Sequence, residues 1–176
     1  ESNQYDPEHI YGLSKVFQDS LCKQYYKMFK LNIIRAILFN TSGPGKKFDV
    51  FFDICNQFSK QFHKKKIVIK CGNLNNFRDF MHVEDVAKAL LFLSNKGLAG
   101  ESYNIGSAKL TKISRIIEIL KRKYKKNIVT KIDKKLLRDY DERFITASIK
   151  KIKKLGWKPR KKIDDIIDDM INRPIN

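Results

Sequence analysis

Tyr11 and Lys15 stand four residues apart, the spacing that brings two side chains onto one face of a helix. A free phenol, with a pKa near ~10, is a poor base at neutral pH. An ammonium close by stabilises the phenolate and lowers that value. A tyrosine and a lysine so placed can move a proton to or from a hydroxyl or carbonyl while a nicotinamide moves a hydride. Spacing alone is a weak warrant, because the same pair also arises by chance on a solvated helix face. The cysteines offer no rival chemistry. Cys22, Cys55 and Cys71 match no metal-ligand spacing, and their odd number argues against a disulfide framework. They read as free thiols of a reducing cytoplasm, and no metal site is expected.

A catalytic pair needs elements to hold it. Ile10, Leu13, Phe17, Leu21, Tyr25 and Met28 recur at steps of three or four, which predicts a helix over residues 8–30. Asp6 is its expected cap, with Pro7 in the first turn. Residues 32–38 read as a buried strand whose one charge is Arg35, and the turn-rich stretch 41–45 breaks it. Further helices are predicted over 48–62, 84–94, 113–124, 146–155 and 163–171, and strands over 67–70, 80–83, 103–105 and 128–132. Strands alternating with helices point to an α/β fold. Arg35 is expected to be buried and paired, His82 to pack and hydrogen-bond, Asp85 to cap its helix or sit in the first turn, and Trp157 to join the core.

Composition excludes several classes. A chain of 176 residues is a domain, or a domain and a lobe, and 42% hydrophobic content is enough for a sizeable core. No run approaches the ~20 apolar residues of a membrane span. The first residues lack a basic region followed by an apolar one, so no signal peptide is expected. They also lack an initiator methionine, so the chain is expected to begin in mid-protein. The net charge of +18 invites a nucleic-acid reading. Yet the basic runs fall at element ends or alternate with Ile and Leu, as over 149–155. That pattern suits the solvated face of an amphipathic helix and does not favour a nucleic-acid surface.

Five blocks in fixed order then carry a resemblance. They are Tyr11-Gly12-Leu13-Ser14-Lys15, the run Arg35 to Asn40 followed by Gly43-Pro44-Gly45, Arg78 to Ala87, Tyr103-Asn104-Ile105-Gly106, and Leu155-Gly156-Trp157-Lys158-Pro159. Together they resemble the extended short-chain dehydrogenases/reductases that act on nucleotide sugars, as epimerases, dehydratases and reductases. Within that family, Gln18-Asp19, Phe52-Asp53 with Gln57, Gly72-Asn73-Leu74 and Leu136-Leu137-Arg138 are most similar to the enzymes of GDP-deoxyhexose synthesis. Those are the GDP-4-keto-6-deoxymannose reductases and the GDP-mannose 4,6-dehydratases. His82 is closer to the epimerase and dehydratase pattern.

The resemblance implies roles. Tyr11 would be the general acid/base, and Lys15 would hold the nicotinamide ribose and tune Tyr11. Phe39 would border the nicotinamide of NAD or NADP. Asn40 and Arg78 would contact the sugar nucleotide, Arg78 and Arg138 sharing its diphosphate, and Asp141 would accept from ribose hydroxyls. Guanidiniums suit a diphosphate because each can fork two hydrogen bonds onto phosphate oxygens. Where the family has proline second in the segment 138–141, this chain has Asp139.

None of the eight glycines forms the Gly-x-Gly-x-x-Gly loop that admits a dinucleotide pyrophosphate. The expectation is therefore the C-terminal portion of a Rossmann-type NAD(P)-binding fold, with the cofactor site incomplete, plus a small α/β substrate-binding lobe. Residues 1–44 and 84–108 would form the distal part of the Rossmann domain, and 45–83 and 109–176 the lobe. The whole enzyme would modify a nucleotide sugar, a GDP-hexose being favoured. The resemblance also implies a homodimer through the first helix. A non-catalytic sugar-nucleotide-binding module is the rival of another class.

Overall fold

The residues that open the chain's first helix and those that end its first strand must meet if the pair above is to act, and the ion pair between Asp19 of that helix and Arg35 of that strand ties the two elements together. The structure, a computed structural model, describes residues 6–7, 9–137 and 141–172. In chain order the elements are α1 (Ile10–Phe29), β1 (Arg35–Leu38), β2 (Thr41–Ser42), α2 (Val50–Lys60), β3 (Lys66–Cys71), β4 (Phe77–Asp79), β5 (Met81–His82) and α3 (Val83–Lys96). There follow β6 (Ser102–Ile105), β7 (Leu110–Lys112), α4 (Ser114–Tyr124), β8 (Asn127–Ile132), a 3-10 turn at Lys134–Leu136, β9 (Phe144–Ile145), α5 (Lys150–Lys154) and α6 (Ile163–Asn172).

The fold is α/β, and most of its strand pairs are parallel. β1 runs parallel to β6 with Ile37 opposite Asn104, and β2 parallel to β5. β3 and β8 share a parallel ladder from Lys66 opposite Asn127 to Cys71 opposite Ile132. β4 lies between β7, antiparallel to it, and β9, parallel to it.

One core gathers Met81, Val86, Leu93, Tyr103, Ile105 and Ile152 between α3, β6 and α5. Trp157 belongs to it, as expected, although it lies within the 109–176 stretch. The other core packs Phe51 and Phe58 of α2 and Ile67 and Ile69 of β3 against Ile116 of α4 and Ile167 of α6. Each such side chain, fully removed from water, contributes roughly 1.5–3 kcal/mol. In β3 burial alternates residue by residue, so Ile67, Ile69 and Cys71 face inward.

Polar ties join the pieces. Arg35 is paired, as expected, though half-buried rather than buried: its guanidinium reaches Asp19 on α1 and the Gly100 carbonyl at 3.2 Å. Asp85 is a first-turn acid of α3, and it also accepts from the main-chain N–H groups of Arg160 and Lys161, at 2.8 and 2.7 Å. Asp79, fully buried, accepts from Ser107 N, Ser107 Oγ, Ala108 N and Ala147 N.

Some expectations give way. The first helix starts at Ile10, not near Asp6, because the His9 side chain accepts from Gly12 N at 2.8 Å and caps it. The strand expected over 80–83 shrinks to β5 at Met81–His82, with β4 at Phe77–Asp79 ahead of it, and Val83 already begins α3. His82 ends β5 and caps that helix, its Nδ1 accepting from Glu84 N.

Candidate active site

Leu38, Phe39 and Asn40 leave the end of β1 pinned on both sides. Phe39 N donates to Ile105 O at 3.0 Å, and Asn40 O accepts from Met81 N at 2.9 Å. The first turn of α1 brings Tyr11 beside them, and Tyr11, Phe39 and Asn40 wall one cleft of about 910 Å³. Tyr11 is 69% exposed. Lys15 is not among the cleft's lining residues, but it lies on the same helix face. Its Nζ is 5.4 Å from the centre of the Tyr11 ring and donates to Gln18 Oε1 at 3.1 Å. The uncovered flats of Tyr11 and Leu38 leave an apolar patch of the kind a flat aromatic ring can cover, so these residues fit the nicotinamide end of a dinucleotide.

Arg78 and Asp141 line the same cleft. The sequence offered Arg78 as a phosphate ligand, and in the fold it is also a structural hub. Nη1 donates to the carbonyls of Phe77 and Glu142 at 2.8 and 2.7 Å, and Nη2 donates to Asp141 Oδ1. Asn76 holds the other oxygen of Asp141. The guanidinium thus fixes the 141–143 segment, and among the described residues its Nε–H and one Nη2–H make no hydrogen bond. Arg138, the second expected guanidinium, lies outside the described residues.

Sequence reasoning assigned no role to the wall formed by α2 and the end of β3. Asp49 caps α2, accepting from Phe52 N at 2.6 Å. One turn on, Asp53 lines the cleft, and burial together with the Asp49 carboxylate raises its pKa above the ordinary carboxylate value. Cys71, also in the wall, has its thiol pushed up by burial, which makes it a poor nucleophile. The Phe52-Asp53 pair was visible in the sequence, but its orientation depends on how α2 lies against β3.

His82, Glu84 and Asp169 bring their ligand-type atoms within 4.8 Å of one another. His82 Nδ1 is occupied by Glu84 N, so Nε2 carries the proton and donates to Asp169 Oδ2 at 3.0 Å. Lys161 Nζ stands 3.7 Å from both Glu84 and Asp169. The trio is an ion-pair network with its cation supplied by the chain.

A family model described as GDP-mannose 4,6 dehydratase matches residues 1–170. The chain belongs to the GDP-mannose 4,6-dehydratase family. Among the relatives of this family member, GDP-6-deoxy-D-mannose reductase of Pseudomonas aeruginosa is 30% identical over 159 residues, covering 87% of this chain and 51% of the relative. dTDP-glucose 4,6-dehydratase of Escherichia coli is 27% identical over 189 residues, covering 100% of this chain and 51% of the relative. The solved structure of RMD from Pseudomonas aeruginosa complexed with NADPH superposes with a TM-score of 0.88 at 26% identity, covering 98% of this chain and 58% of that one. The architecture is therefore of the Rossmann type, and the family is one of NAD(P)-dependent enzymes acting on nucleotide sugars. The chain spans about half the length of the curated relatives it matches. Among the described residues no helix is long and apolar enough to cross a membrane.

Proposed function

We propose that this chain is the C-terminal part of a cytoplasmic NAD(P)-dependent enzyme that modifies a GDP-hexose, in the manner of a GDP-4-keto-6-deoxyhexose reductase. The observation that carries the reading is that Tyr11, Phe39, Asn40, Arg78 and Asp141, from separate stretches of sequence, wall a single cleft. The 30% identity to a GDP-6-deoxy-D-mannose reductase supports reduction, with 4,6-dehydration and 4-epimerisation as the alternatives.

Each residue then has a task. The Tyr11 hydroxyl exchanges a proton with the reacting sugar oxygen. Lys15 holds the nicotinamide ribose and keeps a positive charge beside the phenol. Phe39 borders the nicotinamide, which when bound supplies the hydride. Asn40 orients the sugar. Arg78 turns its free N–H edge to the diphosphate, with Arg138 as its partner, and Asp141 accepts from ribose hydroxyls. Residues 1–44 and 84–108 serve as the distal Rossmann side, and 45–83 and 109–176 as the substrate lobe. Without the glycine-rich loop the chain alone has no turnover. The decisive assay incubates the whole enzyme with NAD(P)H and a GDP-4-keto-6-deoxyhexose. Oxidation of the cofactor with formation of a GDP-deoxyhexose supports the reading, and turnover confined to UDP- or dTDP-sugars opposes it.

A second copy of the chain is the proposed partner of α1. None of this helix's described residues is buried, and Ile10, Phe17 and Met28 are 87%, 67% and 70% exposed. Such a stripe exceeds what a solvated helix carries. Light scattering on the whole protein should give a dimer, and a strict monomer would oppose it.

A further inference from the structure

We propose that Asp53 reads the nucleotide base, its carboxylate accepting from N1–H and the N2 amino group of a guanine seated beside Gly72. The inference rests on the reading above that the cleft takes a GDP-sugar, and it assigns the residue that selects the base.

The position of Asp53 follows from two glutamines. Gln61 and Gln57 lie one turn apart on one side of the helical segment that α2 begins. The Gln61 amide accepts from Val68 N at 3.2 Å and donates to Val68 O at 2.9 Å. The Gln57 amide does the same with Lys70, at 2.8 Å for both bonds. Side-chain amides thus stand in for a neighbouring strand along the free edge of β3. Stepping back four residues on the helix advances two residues on the strand, about 6 Å in each case. Continued one step further, the same progression sets Asp53 at the level of Gly72, and both line the cleft.

At that level the amide is replaced by a carboxylate. Among the described residues the Asp53 carboxylate accepts no hydrogen bond and makes no ion pair, and both Asp53 and Gly72 line the cleft. The 3-10 turn closes over this spot, since a Cβ on Gly72 would collide with the Leu136 carbonyl. Leu136 and Leu137 add apolar surface to the same wall. A planar ring with hydrogen-bond donors on one edge fits such a place.

A carboxylate has only acceptors to offer there, and that separates the bases. Guanine presents two adjacent donors, N1–H and the N2 amino group, which a carboxylate can take together. Uracil and thymine present one N–H between two carbonyl oxygens, and the carboxylate repels both oxygens. Adenine and cytosine present an amino group beside a ring acceptor. Lys70, also in the wall, supplies a cation for the O6 and N7 acceptors of guanine. The raised pKa of Asp53 agrees with a group held for a ligand, because the fold itself disfavours its charge.

The test titrates GDP, UDP and dTDP into the protein and into its Asp53→Asn and Asp53→Ala variants. Asparagine keeps the shape but replaces one acceptor with a donor. GDP affinity should fall about 10-fold or more in both variants, the loss of a paired base contact. UDP and dTDP affinity should stay within about 2-fold or rise, which also reports that the variants are folded. GDP binding by the parent protein that both variants retain in full overturns the base-reading role while leaving the GDP-sugar reading intact. An equal loss for all three nucleotides overturns it too, because Asp53 would then shape the cleft without choosing the base. No GDP binding by the parent protein overturns both.

Discussion

Arg78 Nη2 lies 2.5 Å from Asp141 Oδ1, a pairing across 63 residues of sequence that closes one wall of the cleft. The two side chains were read as separate ligands of a diphosphate and a ribose. In the fold they are also partners, so any change at one reaches the other.

Arg78→Ala should therefore weaken GDP-sugar binding and also loosen the chain. Losing hydrogen bonds from a buried guanidinium to a carboxylate and two carbonyls should cost about 1–3 kcal/mol of stability. Arg78→Lys should restore little of either, because an ammonium is a point charge without the planar fork. Thermal melting with and without GDP measures both effects. An Arg78→Ala protein with parental melting temperature and parental affinity would remove Arg78 from the site.

Tyr11→Phe should leave GDP-sugar binding nearly unchanged, since the exposed phenol supports no other part of the fold. In the whole enzyme the same change should cut turnover by ~10²-fold or more if proton transfer limits the rate. Parental turnover by the phenylalanine variant would show that another group moves the proton.

Asp79→Ala should be among the most damaging changes outside the cleft. It strips four hydrogen bonds from a fully buried carboxylate that gathers residues 107, 108 and 147. The loss should be roughly 3 kcal/mol or more, read as a lower urea midpoint at unchanged slope. A loss within ordinary surface-mutation scatter would mean that these bonds are replaced by water.

Asp53→Asn should raise stability at neutral pH. Burial and Asp49 raise the pKa of Asp53 in the folded state, so the fold favours its protonated form. Its favourable contribution is present below the ordinary Asp value of about 4 and is lost as pH rises through the raised value. The melting temperature of the variant should exceed the parent's at pH 7, and the gap should close in acid. A variant less stable at pH 7 would mean that the carboxylate holds the fold together.

These outcomes divide along a line that the residues explain. The helix bearing Tyr11 and Lys15 was legible because its apolar residues recur at helical steps, though that stripe meets solvent in this chain rather than a core. The strand read at 67–70, beside the turn-rich 72–76, is β3, and Trp157, read as core, is core. Strands of two or three residues, such as β2, β7 and β9, carry no period to read. The Asp79 hub was hidden because its partners lie 28 to 68 residues away. The Asp53 wall was hidden for a related reason, since it depends on two glutamine amides finding a strand edge.

Calorimetry with GDP-mannose, GDP and an unrelated polyanion, at low and moderate salt, tests the nucleotide-sugar cleft most directly. GDP-mannose and GDP should bind with modest salt dependence, and the polyanion should be lost as salt rises. Equal binding of all three, abolished by moderate salt, would contradict a shaped cleft and leave the +18 charge as what governs this protein's partners.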